Sequence, residues 1–338
     1  MNSTKTNMTE KSFISRDNSL ILKGGAIVMM LVHHLFYSKE STGLFNDITV
    51  GGFPIVNSIG IFCKLCVAVF VFVSGYGLAA SMREDVSAGQ FYRKRFKKLY
   101  LNYWFIWLIF VPIGVFVFNR TFTDVYGTNV VLKALLNFFG LLTIFGEYGY
   151  NPTWWFYSCI IVLYLLFPLL NKKLSDNFFL ILSISFILPV LAFLPVVNVV
   201  SCYLLPFVLG VIFAKMPLKY IENIKVWEII VVMALLAVCR IPVTGLRFII
   251  DALLCVCMAL FLYRVELWKW LKTVMMELGK HSMNIFLFHT FIYYYWFRDI
   301  IYASRNPIII VVELLGVCYL LSVVIEWCKR KIGFYKLI

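Results

Sequence analysis

Long apolar runs alternate with short polar stretches along almost the whole chain. The runs fall near 20–37, 60–82, 99–118, 153–170, 178–195, 199–214, 226–241, 245–263, 282–303 and 307–327. A span needs roughly 20 mostly apolar residues, and a backbone in lipid must close its own hydrogen bonds, which favours helices. The pattern therefore predicts an all-α fold: a polytopic membrane helical bundle of about ten transmembrane helices. The fifth to eighth runs are short, so tilted, broken or interfacial segments are expected among them. A further apolar stretch, 130–145, is Gly-interrupted and short for a span; it is expected to be re-entrant or to lie flat on the surface. The organisation expected is a polar cytoplasmic N-terminal segment (1–18), one transmembrane domain (19–328) and a basic cytoplasmic tail (329–338). The first run lacks a small-residue cleavage pattern after it and reads as a retained span.

Composition agrees with lipid as the solvent. The 338 residues are 62% hydrophobic and 14% charged, with a mean hydropathy of +0.88. A soluble core cannot absorb that much apolar side chain, because surface grows too fast with size. The net charge of +14 would suggest nucleic acid in a soluble protein. Here it marks loop orientation, and no nucleic-acid partner is expected. With both termini cytoplasmic and ten alternating spans, most Lys and Arg fall inside, including the Arg93–Lys98 run and Lys329, Arg330 and Lys331. The nine cysteines lie mostly within apolar runs and read as small buried hydrophobes, Cys63 and Cys66 included. No metal site is expected.

Ionisable groups inside spans are costly and point to function. Lys23 and His34 are eleven residues apart on the first span, about three helical turns, so they share a face and are separated by ~16 Å. A cation at the inner mouth and an imidazole deeper in the same cavity would follow; imidazole titrates near neutrality and can take a hydroxyl proton. The bland alternative is a snorkelling lysine and a histidine bonding a neighbouring helix. Ser74, Gly75 and Tyr76 end the second span, and serve either close packing or substrate approach. The run Arg93, Arg95, Lys97, Lys98 with Tyr100, Tyr103 and Trp104 suits a positive-inside anchor with an aromatic belt, or a surface for phosphates. Trp154, Trp155, Phe156 and Tyr157 open the fourth span and Tyr164 and Pro168 close it; anchoring and sugar stacking both remain open. On the ninth span Ser282 and His289 lie two turns apart on one face, with Asn284 nearby. Such a stripe faces a bundle interior. Arg247 and Asp251, four apart, can pair; Glu313 has no obvious local partner.

In this order the blocks resemble the acyltransferase 3 family of membrane acyltransferases. The matching positions are Lys23 and His34, with Lys for the commoner Arg; Ser74, Gly75 and Tyr76; Arg95, Lys97, Lys98, Leu99 and Tyr100; Trp155, Phe156, Tyr164 and Pro168; and Leu278, Gly279, Ser282 and His289. Leu101 stands where the family usually has Pro, and an acidic residue common between the fourth-span blocks is absent. The resemblance spans about residues 16–327. It implies transfer of an acyl group, usually acetyl, from cytoplasmic acyl-CoA to a hydroxyl of a surface polysaccharide or lipid-linked sugar. It implies His34 as catalytic residue, Lys23, Arg95 and Lys98 at the donor, and Ser74, Trp155, Ser282 and His289 lining the substrate cavity. No cofactor is expected to stay bound, acetyl-CoA or another acyl-CoA being a co-substrate. The expected partners are that donor, the glycan acceptor and the bilayer of a plasma membrane. A transporter of a lipid-linked or anionic solute is the alternative, since polar stripes in spans also suit a transport path.

Overall fold

The computed structural model describes residues 12–82, 86–174 and 176–337. Helix α1 (Arg16–Phe36) starts where the Ser15 hydroxyl accepts from the Asn18 N–H at 3.1 Å, satisfying one of the donors a helix start leaves open. Then come α2 (Ile55–Phe62), α3 (Cys66–Ser81) and α4 (Ala88–Phe116), the last opened by a reciprocal Ser87–Gln90 capping box. Two short helices, α5 (Phe122–Tyr126) and α6 (Val130–Phe138), precede α7 (Trp155–Lys173). The remainder is α8 (Phe178–Ile187), α9 (Pro195–Ser201), α10 (Leu204–Lys215), α11 (Val226–Arg240), α12 (Arg247–Arg264), α13 (Lys269–Thr290), α14 (Arg298–Ile301) and α15 (Pro307–Lys331). Sheet among the described residues is a two-stranded hairpin, Thr49–Val50 with Phe53–Pro54.

Among the described residues, five helical stretches are long and apolar enough to cross a membrane: Arg16–Phe36, Ile55–Ser81, Ala88–Phe116, Pro152–Lys173 and Pro307–Lys331. The other apolar runs of the sequence are largely helical too, α13 with 22 residues among them. Phe178–Leu191 and Leu204–Lys215 are short apolar helices, as the interrupted fifth and sixth runs suggested. α15 continues to Lys331, so the start of the expected basic tail is helix, and Lys329 within it is fully buried.

Two helices are irregular in mid-course. A 3-10 turn, Cys63–Leu65, separates α2 from α3, and α13 passes directly into a π turn, Phe291–Trp296. Such breaks leave backbone groups to be satisfied by neighbours. His33 donates from Nδ1 to the Gly60 carbonyl at 2.8 Å. Arg240 lies 3.4 Å from the Ile61 carbonyl and pairs with Asp251. The sequence had suggested Arg247 for Asp251, but Arg247 instead donates to the carbonyls of Arg240 and Ile241, at 3.2 Å each. The guanidinium that pairs with Asp251 comes from α11, which local spacing on α12 cannot reveal.

The 130–145 stretch turns back along α4. Trp104 Nε1 donates to the Phe138 carbonyl at 2.9 Å and the Tyr100 hydroxyl to that of Phe139 at 3.0 Å. Tyr100 lies sixteen residues before the end of α4, ~24 Å along the axis, so the segment reaches back along much of that helix. Its hub is Asn137. Its side-chain oxygen accepts from the Tyr126 hydroxyl at 2.7 Å and the Tyr150 N–H at 3.1 Å, and its carbonyl from the Tyr103 hydroxyl at 2.6 Å.

α1 and α13 pack side by side and run parallel. Asp17 pairs with Lys272 at 3.3 Å near their starts, and the rings of His34 and His289 meet near their ends. Both meetings have the same sequence offset. Glycine makes the close approach possible: a Cβ on Gly24 would meet the Met275 carbonyl oxygen at 2.0 Å, and one on Gly279 that of Leu20 at 2.1 Å.

Candidate active site

Gly24 and Gly279 each stand ten residues before a histidine, His34 and His289. On parallel helices that touch at the glycines, an equal rise of about 15 Å brings the two imidazoles level. Their ring centroids lie 5.0 Å apart, tilted by 41°. His289 is fully buried, 0% exposed; His34 keeps partial exposure. Around the pair, His33 lies 5.1 Å from His34 and stacks at 4.6 Å on Tyr37, and Tyr293 of the π turn lies 6.3 Å from His34. His33, held to Gly60, has its Nδ1 committed to structure. His34 is the imidazole of the two that faces the ninth-span histidine.

The turn that opens α7 supplies the far wall. The Leu287 carbonyl, two residues before His289, accepts from Trp154 Nε1 at 2.9 Å and from Asn151 Nδ2 at 3.2 Å. Thr290 Oγ1 lies 3.1 Å from Thr153 Oγ1, which donates to Asn151 Oδ1 at 2.7 Å. Of these, Trp154 was read only as an anchor or a sugar-stacking ring, and Asn151, Thr153 and Thr290 were not picked out from the sequence. Their signal was present, since Asn151-Pro152-Thr153-Trp154 is a polar opening to an apolar run with a Pro at its first turn. Trp155, which was singled out, packs instead on Tyr203 and Phe156, at 5.4 and 6.0 Å.

A second group of expected residues gathers at the other end of the bundle. Arg95 Nη2 donates to Ser81 Oγ at 2.5 Å. Ser74 is hydrogen-bonded to the Tyr164 hydroxyl, whose electrostatic neighbour is Arg95. Lys98 is exposed and close enough to Lys23 for the two ammonium groups to repel. Basic and hydroxyl groups from α1, α3, α4 and α7 thus stand together, with Lys23 on the helix that also carries His34. Repelling cations held in one place favour an anion between them.

Ser282 bonds the Gly279 carbonyl of its own helix at 2.8 Å and is not drawn to either group. Its neighbours lead to a separate polar cluster. His281 Nδ1 lies 2.8 Å from Ser322 Oγ, and Asn284 donates to Ser322 at 3.0 Å and Glu326 at 2.8 Å. Lys329 donates to Asn102 at 2.8 Å, Asn284 at 2.7 Å and Glu326 at 3.2 Å, and Tyr335 also bonds Glu326. The cluster ties α4, α13 and α15 together. At its edge, the Lys280 ammonium bonded to Glu277 holds that carboxyl below the usual carboxylate range.

The model of one protein family, described as an acyltransferase domain and known as acyltransferase 3, matches residues 19–327. No curated protein and no solved structure matches the chain.

Proposed function

The chain belongs to the acyltransferase 3 family, and from that premise we propose that this membrane acyltransferase moves an acyl group, acetyl in the first instance, from cytoplasmic acyl-CoA to a hydroxyl of a cell-surface polysaccharide or lipid-linked sugar. The observation that carries this reading is His34. It is a partly accessible imidazole in the bundle interior, on the same helix as Lys23 and level with the buried His289.

In this reading ten spans cross the plasma membrane and both termini are cytoplasmic. The donor's phosphates bind near Lys23, Arg95 and Lys98, where charge-assisted hydrogen bonds to phosphate oxygens are strong. The pantetheine arm runs along α1 and delivers the thioester toward His34, ~16 Å from Lys23. His34 removes the proton of the acceptor hydroxyl. The hydroxyl oxygen attacks the thioester carbonyl, a C–O bond forms, the C–S bond breaks, and the His34 imidazolium returns the proton to the leaving thiolate. A general base of this kind contributes ~10²–10⁴-fold in rate.

The test supplies labelled acetyl-CoA to membranes carrying the protein and measures label in glycan together with free thiol. Label in a hydroxyl-linked position, lost in His34→Ala, supports the reading. Solute flux without thioester consumption would turn it to a transporter.

A further inference from the structure

The next step rests on the reading of His34 as base. Nδ1 of His289 lies 2.9 Å from the Phe286 carbonyl and 3.1 Å from that of Ile285. A carbonyl only accepts, so Nδ1 carries the hydrogen and the lone pair of the neutral ring is on Nε2. The Thr290 hydroxyl lies a long 3.4 Å from Nε2. Thr290 sits closer, at 3.1 Å, to Thr153 Oγ1. The Thr153 hydrogen is committed to Asn151 Oδ1 at 2.7 Å, so the Thr153 oxygen is left to receive the Thr290 hydrogen. Nε2 of a fully buried histidine therefore keeps its lone pair for another donor, and the adjoining ring is His34.

We infer that His289 is a positioning residue for His34. The two rings adjoin, and in the reacting complex the Nε2 lone pair accepts one N–H of the His34 ring, which fixes the tautomer and turns the other, unprotonated nitrogen toward the acceptor hydroxyl. After His34 has taken the hydroxyl proton, the imidazolium keeps one N–H on His289 and gives the other to the departing thiolate. His289 itself neither gains nor loses a proton. In hydrolytic triads a carboxylate orients the catalytic histidine in this way. A neutral imidazole does so here without placing a negative charge in the membrane interior, where charge is expensive. The Ile285 and Phe286 carbonyls hold Nδ1 of His289, so the acceptor atom is fixed before substrate arrives. The π turn that follows supplies Tyr293, stacked at 11° to the His289 ring.

The test uses the full chain in membranes with acetyl-CoA as probe and thiol release as readout, comparing His289→Gln, His289→Asn and His289→Leu. The Gln amide reaches the position of Nε2; the Asn amide reaches only that of Nδ1. The expected result is a kcat about 10²-fold down in the Leu and Asn variants, with KM for acetyl-CoA unchanged. At least a tenfold recovery is expected in Gln. If Leu fails to fold, the Gln–Asn pair still decides, since the two are equally polar. Equal rates for Gln and Asn, or a loss seen in KM alone, would overturn the inference. Full activity of His34→Ala would overturn the base itself; equal Gln and Asn rates beside an inactive His34→Ala would remove only the role of His289.

Discussion

Gly24 and Gly279 lie in the same close contact between α1 and α13, each where a side chain would strike the partner helix's backbone. The contact sets how far each helix rises to its histidine, so the register of the site is decided one helical stretch away from the chemistry. Gly24→Leu should force the helices apart. Overpacking of this kind costs about 1–3 kcal/mol, and a ring shift of even an ångström removes the fit between the imidazoles. Thermal melting in detergent should fall and thiol release should be lost. Gly25→Ala, at a position with open space around the site of a Cβ, should leave both near wild type. Equal effects from the two substitutions would show that the contact does not set the register.

Trp154 should matter more than Trp155. Trp154 holds the Leu287 carbonyl through its indole N–H, whereas Trp155 packs in another cluster with Tyr203. Trp154→Phe loses a buried hydrogen bond, about 1 kcal/mol in stability, and leaves the Leu287 carbonyl, two residues from His289, held by only Asn151 of its two side-chain donors. Its turnover should fall well below that of Trp155→Phe. The reverse order would mean that sugar stacking on Trp155 governs the rate.

If Arg95 and Lys98 hold the donor phosphates as proposed, their loss should act on binding. Arg95→Gln and Lys98→Gln each remove one charged partner at a partly or fully exposed position, where solvent weakens such contacts. KM for acetyl-CoA should rise roughly three- to tenfold with kcat unchanged, and the difference should shrink as salt is added. A fall in kcat at constant KM would place them elsewhere in the reaction.

Lys329 is the clearest stability test. It is fully buried against Asn102, Asn284 and Glu326. Lys329→Met leaves Glu326 without its cation; because that carboxylate is partly exposed and keeps Asn284 and Tyr335, the cost falls below the ~3–5 kcal/mol of a fully buried pair. Adding Glu326→Gln should recover part of the melting temperature. No loss in the single variant, or no recovery in the double, would contradict the pairing.

How much of this was legible in the chain depended on distance along it. Lys23 and His34 share a face by the period of one helix, so their relation could be read before any fold was known. The meeting of His34 with His289 needs the register between two helices, and the equal glycine–histidine spacing that sets it carries meaning only once the helices are known to be parallel. Asp251 was matched to Arg247 because i, i+4 spacing sees one helix at a time; its partner sits across the α11–α12 turn. Trp154 and Trp155 are adjacent, and a 3-10 turn ends between them. Their facing is set by that turn rather than by composition. Lys329 read as part of a solvated basic tail because its partners, Asn102 and Asn284, come from α4 and α13.

The central claim is that the His34 imidazole performs the proton transfer. The most direct measurement is acetyl-CoA consumption by membranes carrying His34→Ala, with His33→Ala beside it. His33 is bound to the Gly60 carbonyl and stacked on Tyr37, so its loss should lower stability and leave most of the turnover. His34→Ala should fold, bind donor with an unchanged KM, and lose ~10²-fold or more in kcat. A folded His34→Ala protein that releases thiol at the wild-type rate would contradict the account.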